Sequence, residues 1–171
     1  MSKDFSQLAS DESINRAKDA LSKNGIEVFV VGNGAEAKEK IFQIIPDGAE
    51  VMNMTSVTLD FTEIAKEINE SGKFNSVRNK FAKMYRKTQG TEMQKLGAAP
   101  EWVIGSVHAV TEDGKIIIAS ATGSQLPAYA YGAGHVVWVV GSQKIVKDLD
   151  EGMKRIYEYV LPLESERAII W

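Results

Sequence analysis

The chain has 171 residues, 44% of them hydrophobic, a formal net charge of −3 and no cysteine. That length supports one sizeable core and predicts a single α/β domain over residues 1–171, while the absence of cysteine removes disulfides, thiolate nucleophiles, iron–sulfur ligation and Cys-containing zinc sites. No stretch approaches the ~18 apolar residues of a membrane span, the first residues lack an apolar signal core, and the small net charge points away from nucleic acid. A cytoplasmic protein with no membrane or nucleic-acid partner is expected.

Along the chain, Ile14, Ala17 and Leu21 share one stripe and predict a helix over 11–22, opened by Ser10 or Asp11 and stopped by Asn24-Gly25. Ile26 to Val31 (IEVFVV) is a nearly continuous β-branched and aromatic run, the pattern of a strand buried on both faces. Gly32-Asn33-Gly34 turns the chain into a helix carrying Ala37, Ile41 and Ile44, which Pro46-Asp47-Gly48 ends. A second strand-turn-helix unit follows: strand 49–54, turn 55–58, and helix 60–69 with a capping box between Asp60 and Glu63.

Residues 73–95 read as one basic amphipathic helix, net +6, with Val77, Phe81, Met84 and Tyr85 on one stripe. Strand-like runs at 102–110 and 115–120 flank Glu112-Asp113-Gly114, where Asp-Gly predicts an antiparallel hairpin with Gly114 at positive φ. A Gly- and Ala-rich loop, 122–134, leads to the most hydrophobic strand, 135–140, and the last helix carries Leu149, Met153, Ile156, Tyr157 and Val160. Strands alternating with helices predict a largely parallel sheet flanked by helices, with one antiparallel hairpin.

Several residue groups have chemistry to offer. Thr55, Ser56 and Thr58 lie between a strand and a helix, where backbone N–H groups and hydroxyls either cap the helix or hold an anion. Gly32-Asn33-Gly34 lacks the third glycine of a dinucleotide fingerprint and there is no Walker A motif, so no cofactor is expected. His108 and His135 are too few for a histidine-only metal site, and no metal is expected. His135, between a glycine-rich loop and a strand, is placed for a strand-mouth ligand site or a backbone-bonded core edge. Glu112 and Asp113 suit either acid–base work or a solvated turn; the hairpin register leaves Glu112 free.

From "SVHAVTEDGK" to "GMKRI" (106–156) the chain resembles the lactate-utilisation (LUD) domain family. The resemblance rests on Ala109-Val110-Thr111-Glu112-Asp113-Gly114, Gly123 to Ala128, Lys144-Ile145-Val146-Lys147-Asp148-Leu149 and Leu163-Glu164-Ser165-Glu166-Arg167-Ala168, and loosely on Pro46-Asp47-Gly48 and Ser56-Val57-Thr58-Leu59. It implies a NagB/RpiA/CoA-transferase-like fold whose early turn holds a phosphate or similar anion, here Thr55, Ser56 and Thr58, with Gly123, Ser124 and Gln125 expected in the same cleft. For an enzyme acting on an anionic metabolite, Glu112 and His135 are the expected proton-transfer pair. The implied function is an accessory or small-anion-binding component of lactate or organic-acid utilisation, working with other subunits of that process. Two alternatives are a free-standing enzyme on a sugar phosphate, folate or CoA ester, and an interaction subunit without ligand.

Overall fold

The computed structural model describes residues 3–169, with side chains through 167. In chain order the elements are α1 (Asp11–Lys23), α2 (Gly34–Ile44), β1 (Glu50–Asn53), α3 (Val57–Phe61), α4 (Ile64–Glu70), β2 (Asn75–Ser76), α5 (Val77–Phe81), α6 (Arg86–Ala98), β3 (Trp102–Gly105), β4 (Ala109–Thr111), β5 (Ile116–Ile117), β6 (His135–Trp138), β7 (Ile145–Val146), α7 (Leu149–Arg155) and α8 (Leu161–Ile169). One-turn π-helices occupy Ala128–Gly132 and Ile156–Val160. The elements group into two units, each assembled from separated segments: 31–106 with 120–139, and 3–30 with 107–119 and 140–169.

The first unit is a parallel sheet in the order β2-β1-β3-β6. Val51, Val103 and Ile104 are fully buried, as expected for strands covered by helices on both faces. Ile41 and Ile45 from α2, Leu59 from α3, and Ile64 and Ile68 from α4 pack with Val51, Trp102 and Ile104 into one core. The predicted helix over 60–69 is instead α3 and α4, broken at Glu63, a non-glycine residue with φ of +57°. The Asp60–Glu63 capping box is absent; the Thr62 hydroxyl bonds back to the Thr58 and Leu59 carbonyl oxygens.

The basic stretch 73–95 is not one helix. Asn75 and Ser76 pair in parallel with Glu50 and Val51, so the chain forms a strand before α5 can start, and α6 is itself bent at Gln89. The run Ile26 to Val31 enters neither sheet, and Phe29, Val30 and Val31 are 44%, 55% and 40% exposed. Its β-branched residues favour an extended backbone, but burial on both faces needs a ladder on each side, and the positions beside β1 belong to β2 and β3. Strand β6 is shorter than the run that predicts it and lies at the sheet edge, half-buried rather than central.

The second unit is a three-stranded mixed sheet, β5-β4-β7, with β4 antiparallel to β5 and parallel to β7. The predicted hairpin is present: Ala109 faces Ile117, Val110 faces Ile116, and Gly114 turns at φ of +86°. Its core joins Phe5, Ala109, Ile117 and Val146 to Ile156 and Tyr159 of the C-terminal helical run. That run stays helical through a π turn in which the Leu161 N–H bonds the Ile156 oxygen. Pro162 explains the turn, because it has no N–H and its ring would crowd the carbonyl four residues back.

Candidate functional site

The site is built at the carboxyl end of β1. After Asn53 the chain leaves the sheet, Met54 still donating its N–H to the Ile104 oxygen at 2.8 Å. Beside it, β2 ends at Ser76, whose hydroxyl accepts from the Asn79 N–H (3.2 Å) and donates to Asn69 Oδ1 (2.6 Å), fixing the start of α5. Arg78, in the first turn of α5, therefore emerges next to β1. Its Nε donates to the Asn53 backbone oxygen at 2.8 Å and a terminal nitrogen donates to Thr55 Oγ1 at 3.0 Å. Burial holds the guanidinium below its ordinary pKa, although it remains a fixed cation at neutral pH.

A cavity of about 540 Å³ opens here, lined among others by Asn53, Thr55, Asp60, Lys66, Asn69 and Arg78. Asn53 is 6% exposed, and its side-chain Oδ1 is buried with no hydrogen-bond partner among the described residues. A guanidinium with N–H groups to spare, a hydroxyl that accepts from it and keeps its own proton to donate, and an unsatisfied amide oxygen thus meet at one strand end. Oxyanions such as carboxylate or phosphate suit this donor pair.

Of the residues expected to bind a ligand, Thr55 lines the cavity; Ser56, Thr58, Gly123, Ser124 and Gln125 do not line it. Ser56 is the N-cap of α3 without a side-chain cap bond, and α3 has only 5 residues, so its dipole is weak and the cations of the cavity are Arg78 and Lys66, beside the carboxylates of Asp60, Glu63 and Glu70. Gly123, Ser124 and Gln125 form a turn that satisfies itself: Gly123 N–H bonds Ser120 Oγ, Ser124 Oγ accepts from the Thr122 hydroxyl, and the Gln125 oxygen accepts from Tyr129 N–H.

His135 is not at the strand mouths. It begins β6 in register with Trp102, and Trp102 pairs with Val51, so it lies at the amino end of the parallel strands, opposite the 55–58 turn. The expected common cleft is therefore not formed: a residue that opens a parallel strand sits at the end away from the turns that leave it. His135 stacks on the Trp102 indole, with ring centroids 4.0 Å apart.

In the second unit Glu112 is engaged rather than free. The Ser13 hydroxyl donates to its Oε1 at 2.7 Å, and Arg16 binds both carboxylate oxygens, Nε to Oε2 at 2.7 Å and a terminal nitrogen to Oε1 at 3.0 Å. The hydrogen bond from Arg16 holds the carboxyl below its usual range.

Sequence reading also missed a cationic group in this unit. Arg155 is 3% exposed and donates to the backbone oxygens of His108 (2.9 Å) and Phe5 (2.6 Å), its guanidinium lying over the Phe5 and Tyr159 rings. His108 Nδ1 accepts the Ala119 N–H at 3.2 Å, which leaves the ring proton on Nε2. Burial lowers the His108 pKa, with Lys144 and Arg155 adding to the shift, and burial beside Arg155 pushes Lys144 down to about 8.

Among the described residues no helix is long and apolar enough to cross a membrane, and no group of three or more histidines, cysteines and carboxylates could hold a metal ion. No curated protein and no solved structure matches the chain. A family model described as the LUD domain matches residues 14–169, nearly the whole length. With that match and an α/β fold of the expected kind, the chain belongs to the LUD domain family, whose members are associated with lactate utilisation.

Proposed function

We propose that the protein is a small-anion-binding component of organic-acid metabolism, with the ligand taken at the carboxyl end of β1. The observation that carries this reading is the half-buried Arg78 guanidinium, drawn beside β1 and bonded to Asn53 and Thr55 within an open cavity. Family membership supports the process, lactate or related acid utilisation, and an accessory role beside other subunits in the cytoplasm fits it. Titration calorimetry with small carboxylates and phosphates tests the reading: one class should bind, and Arg78→Ala should weaken that binding by at least ~10-fold while the protein stays folded. Unchanged affinity in the folded variant would reject it.

A second reading, a free-standing enzyme, is favoured by the group in the other unit. Burial pushes Lys144 down to about 8 and lowers His108, which puts two groups with perturbed proton affinity in this unit. Turnover of a carbonyl or phosphate ester lost in both Lys144→Met and His108→Gln would favour this reading; the Arg78 variant separates it from the first.

A further inference from the structure

We propose that the protein forms a two-fold dimer through its C-terminal helical run, a second copy of the chain pairing antiparallel across an exposed apolar row. Leu149 and Met153 of α7, Tyr157 of the π turn and Leu161 at the start of α8 recur every fourth residue, and each is between 39% and 63% exposed. The other side of the run is already used: Arg155 is buried, and Ile156 and Tyr159 pack on the core around Phe5 and Val146. Four-residue steps drift by about 40° each in an α-helix, but the wider π turn takes back part of that drift, so the row stays on one side for about 18 Å. Scattered exposed apolar residues are ordinary, whereas a continuous row of them marks a contact surface.

The row fits its own copy. With the two helices antiparallel about a two-fold axis midway between Met153 and Tyr157, Leu149 meets Leu161 of the second copy, and Met153 meets Tyr157 of the second copy, a thioether against a ring. Lys154 and Glu158 each follow a row residue by one position, so they lie on the same flank, and both are exposed without an ion pair to another described residue. The two-fold axis sets each Lys154 beside Glu158 of the other copy, so opposite charges close one rim of the apolar row. Parallel pairing would set lysine against lysine and glutamate against glutamate, which fixes the direction.

Sedimentation of the unmodified chain from micromolar to near-millimolar concentration should show a reversible monomer–dimer equilibrium, because a contact of this length lies at the small end of stable interfaces. Tyr157→Ala should weaken it at least ~10-fold, as loss of a central aromatic does. Lys154→Glu and Glu158→Lys should each weaken it, and the double variant should recover most of the loss. Since the chain has no cysteine, introduced thiols report the direction. Leu149→Cys and Leu161→Cys chains, mixed and oxidised, should cross-link to each other and neither to itself. A monomer at every concentration, or a dimer that Tyr157→Ala leaves unchanged, would overturn the proposal, as would cross-linking of Leu149→Cys to itself. The first measurement needs no variant, and all the substituted side chains are exposed, so the variants report contact rather than folding.

Discussion

Arg16 on α1 grips Glu112 at the hairpin turn through both carboxylate oxygens, at 2.7 and 3.0 Å. The pair fastens the first helix to the turn, and its sign with pH is fixed. A carboxyl held below its ordinary value of 4.5 adds stability that is complete above that pH and is lost as pH falls through the lowered folded value. Glu112→Gln should therefore lower the thermal midpoint at pH 7 and lose this difference from the unmodified protein toward pH 3, as thermal scans across that range would show. A midpoint gap that persists unchanged into acid would mean the pair contributes through packing alone.

Lys144 behaves in the opposite direction. Below about 8 both folded and unfolded states carry its proton, and the cost of burying the charge is present in full. Between about 8 and 10.5 the folded state is neutral while the unfolded chain still binds a proton, so stability should rise with pH. The gain is on the order of 1–3 kcal/mol. Chemical denaturation of the unmodified protein and of Lys144→Met from pH 7 to 10.5 should converge as pH increases.

Gly114 and Gly25 separate two kinds of cost. Both have positive φ, +86° and +80°, but a Cβ on Gly114 would sit 2.9 Å from the Ala20 carbonyl carbon, whereas one on Gly25 meets nothing within 4 Å. Gly25→Ala should cost about 1 kcal/mol from backbone strain alone. Gly114→Ala should cost at least about 1 kcal/mol more, because α1 must shift to make room. Urea denaturation of the two variants gives the difference directly.

Arg155 supports its unit without an ion pair among those described. Its bonds run to the His108 and Phe5 backbone oxygens, and no carboxylate binds it at salt-bridge distance among the described residues. Arg155→Met keeps the stem and strips both bonds, leaving two carbonyls short of a donor, at a cost of roughly 2–4 kcal/mol. Hydrogen exchange should then quicken at the Phe5 segment and around His108 before it changes in β1 and β3.

How far the sequence discloses this structure depends on whether the signal is local. Helix α1 carries its own cap in Ser10, α2 carries its own in Asn33, and Asp113-Gly114 dictates its turn, so these elements stand where periodicity and turn chemistry put them. The IEVFVV run shows the limit: hydrophobic continuity does not count ladder partners, and the places beside β1 are taken by segments distant in sequence. Arg78 is hidden for a related reason. Within 73–95 it looks like one more solvated cation, and only the pairing of Asn75 and Ser76 with Glu50 and Val51 turns it toward Asn53. The one local hint was Ser76, three residues before Asn79, which is the spacing of a helix cap. For His135 no local signal tells which end of the sheet it takes, because that depends on β6 running parallel to β3.

The way the chain alternates between the two units constrains its synthesis. The edge strand β6 leaves the ribosome after β4 and β5, which belong to the other unit, and β7, which completes the sheet around β4, follows later still. Neither sheet can close from an uninterrupted stretch of nascent chain. A truncation at residue 120 would strand the β4–β5 hairpin without β7 and β3 without β6. Any single cut between residues 30 and 140 divides the unit of 3–30, 107–119 and 140–169, whereas a cut beside residue 30 or 139 leaves both segments of the other unit on one fragment, so limited proteolysis there should cost the divided unit before the other.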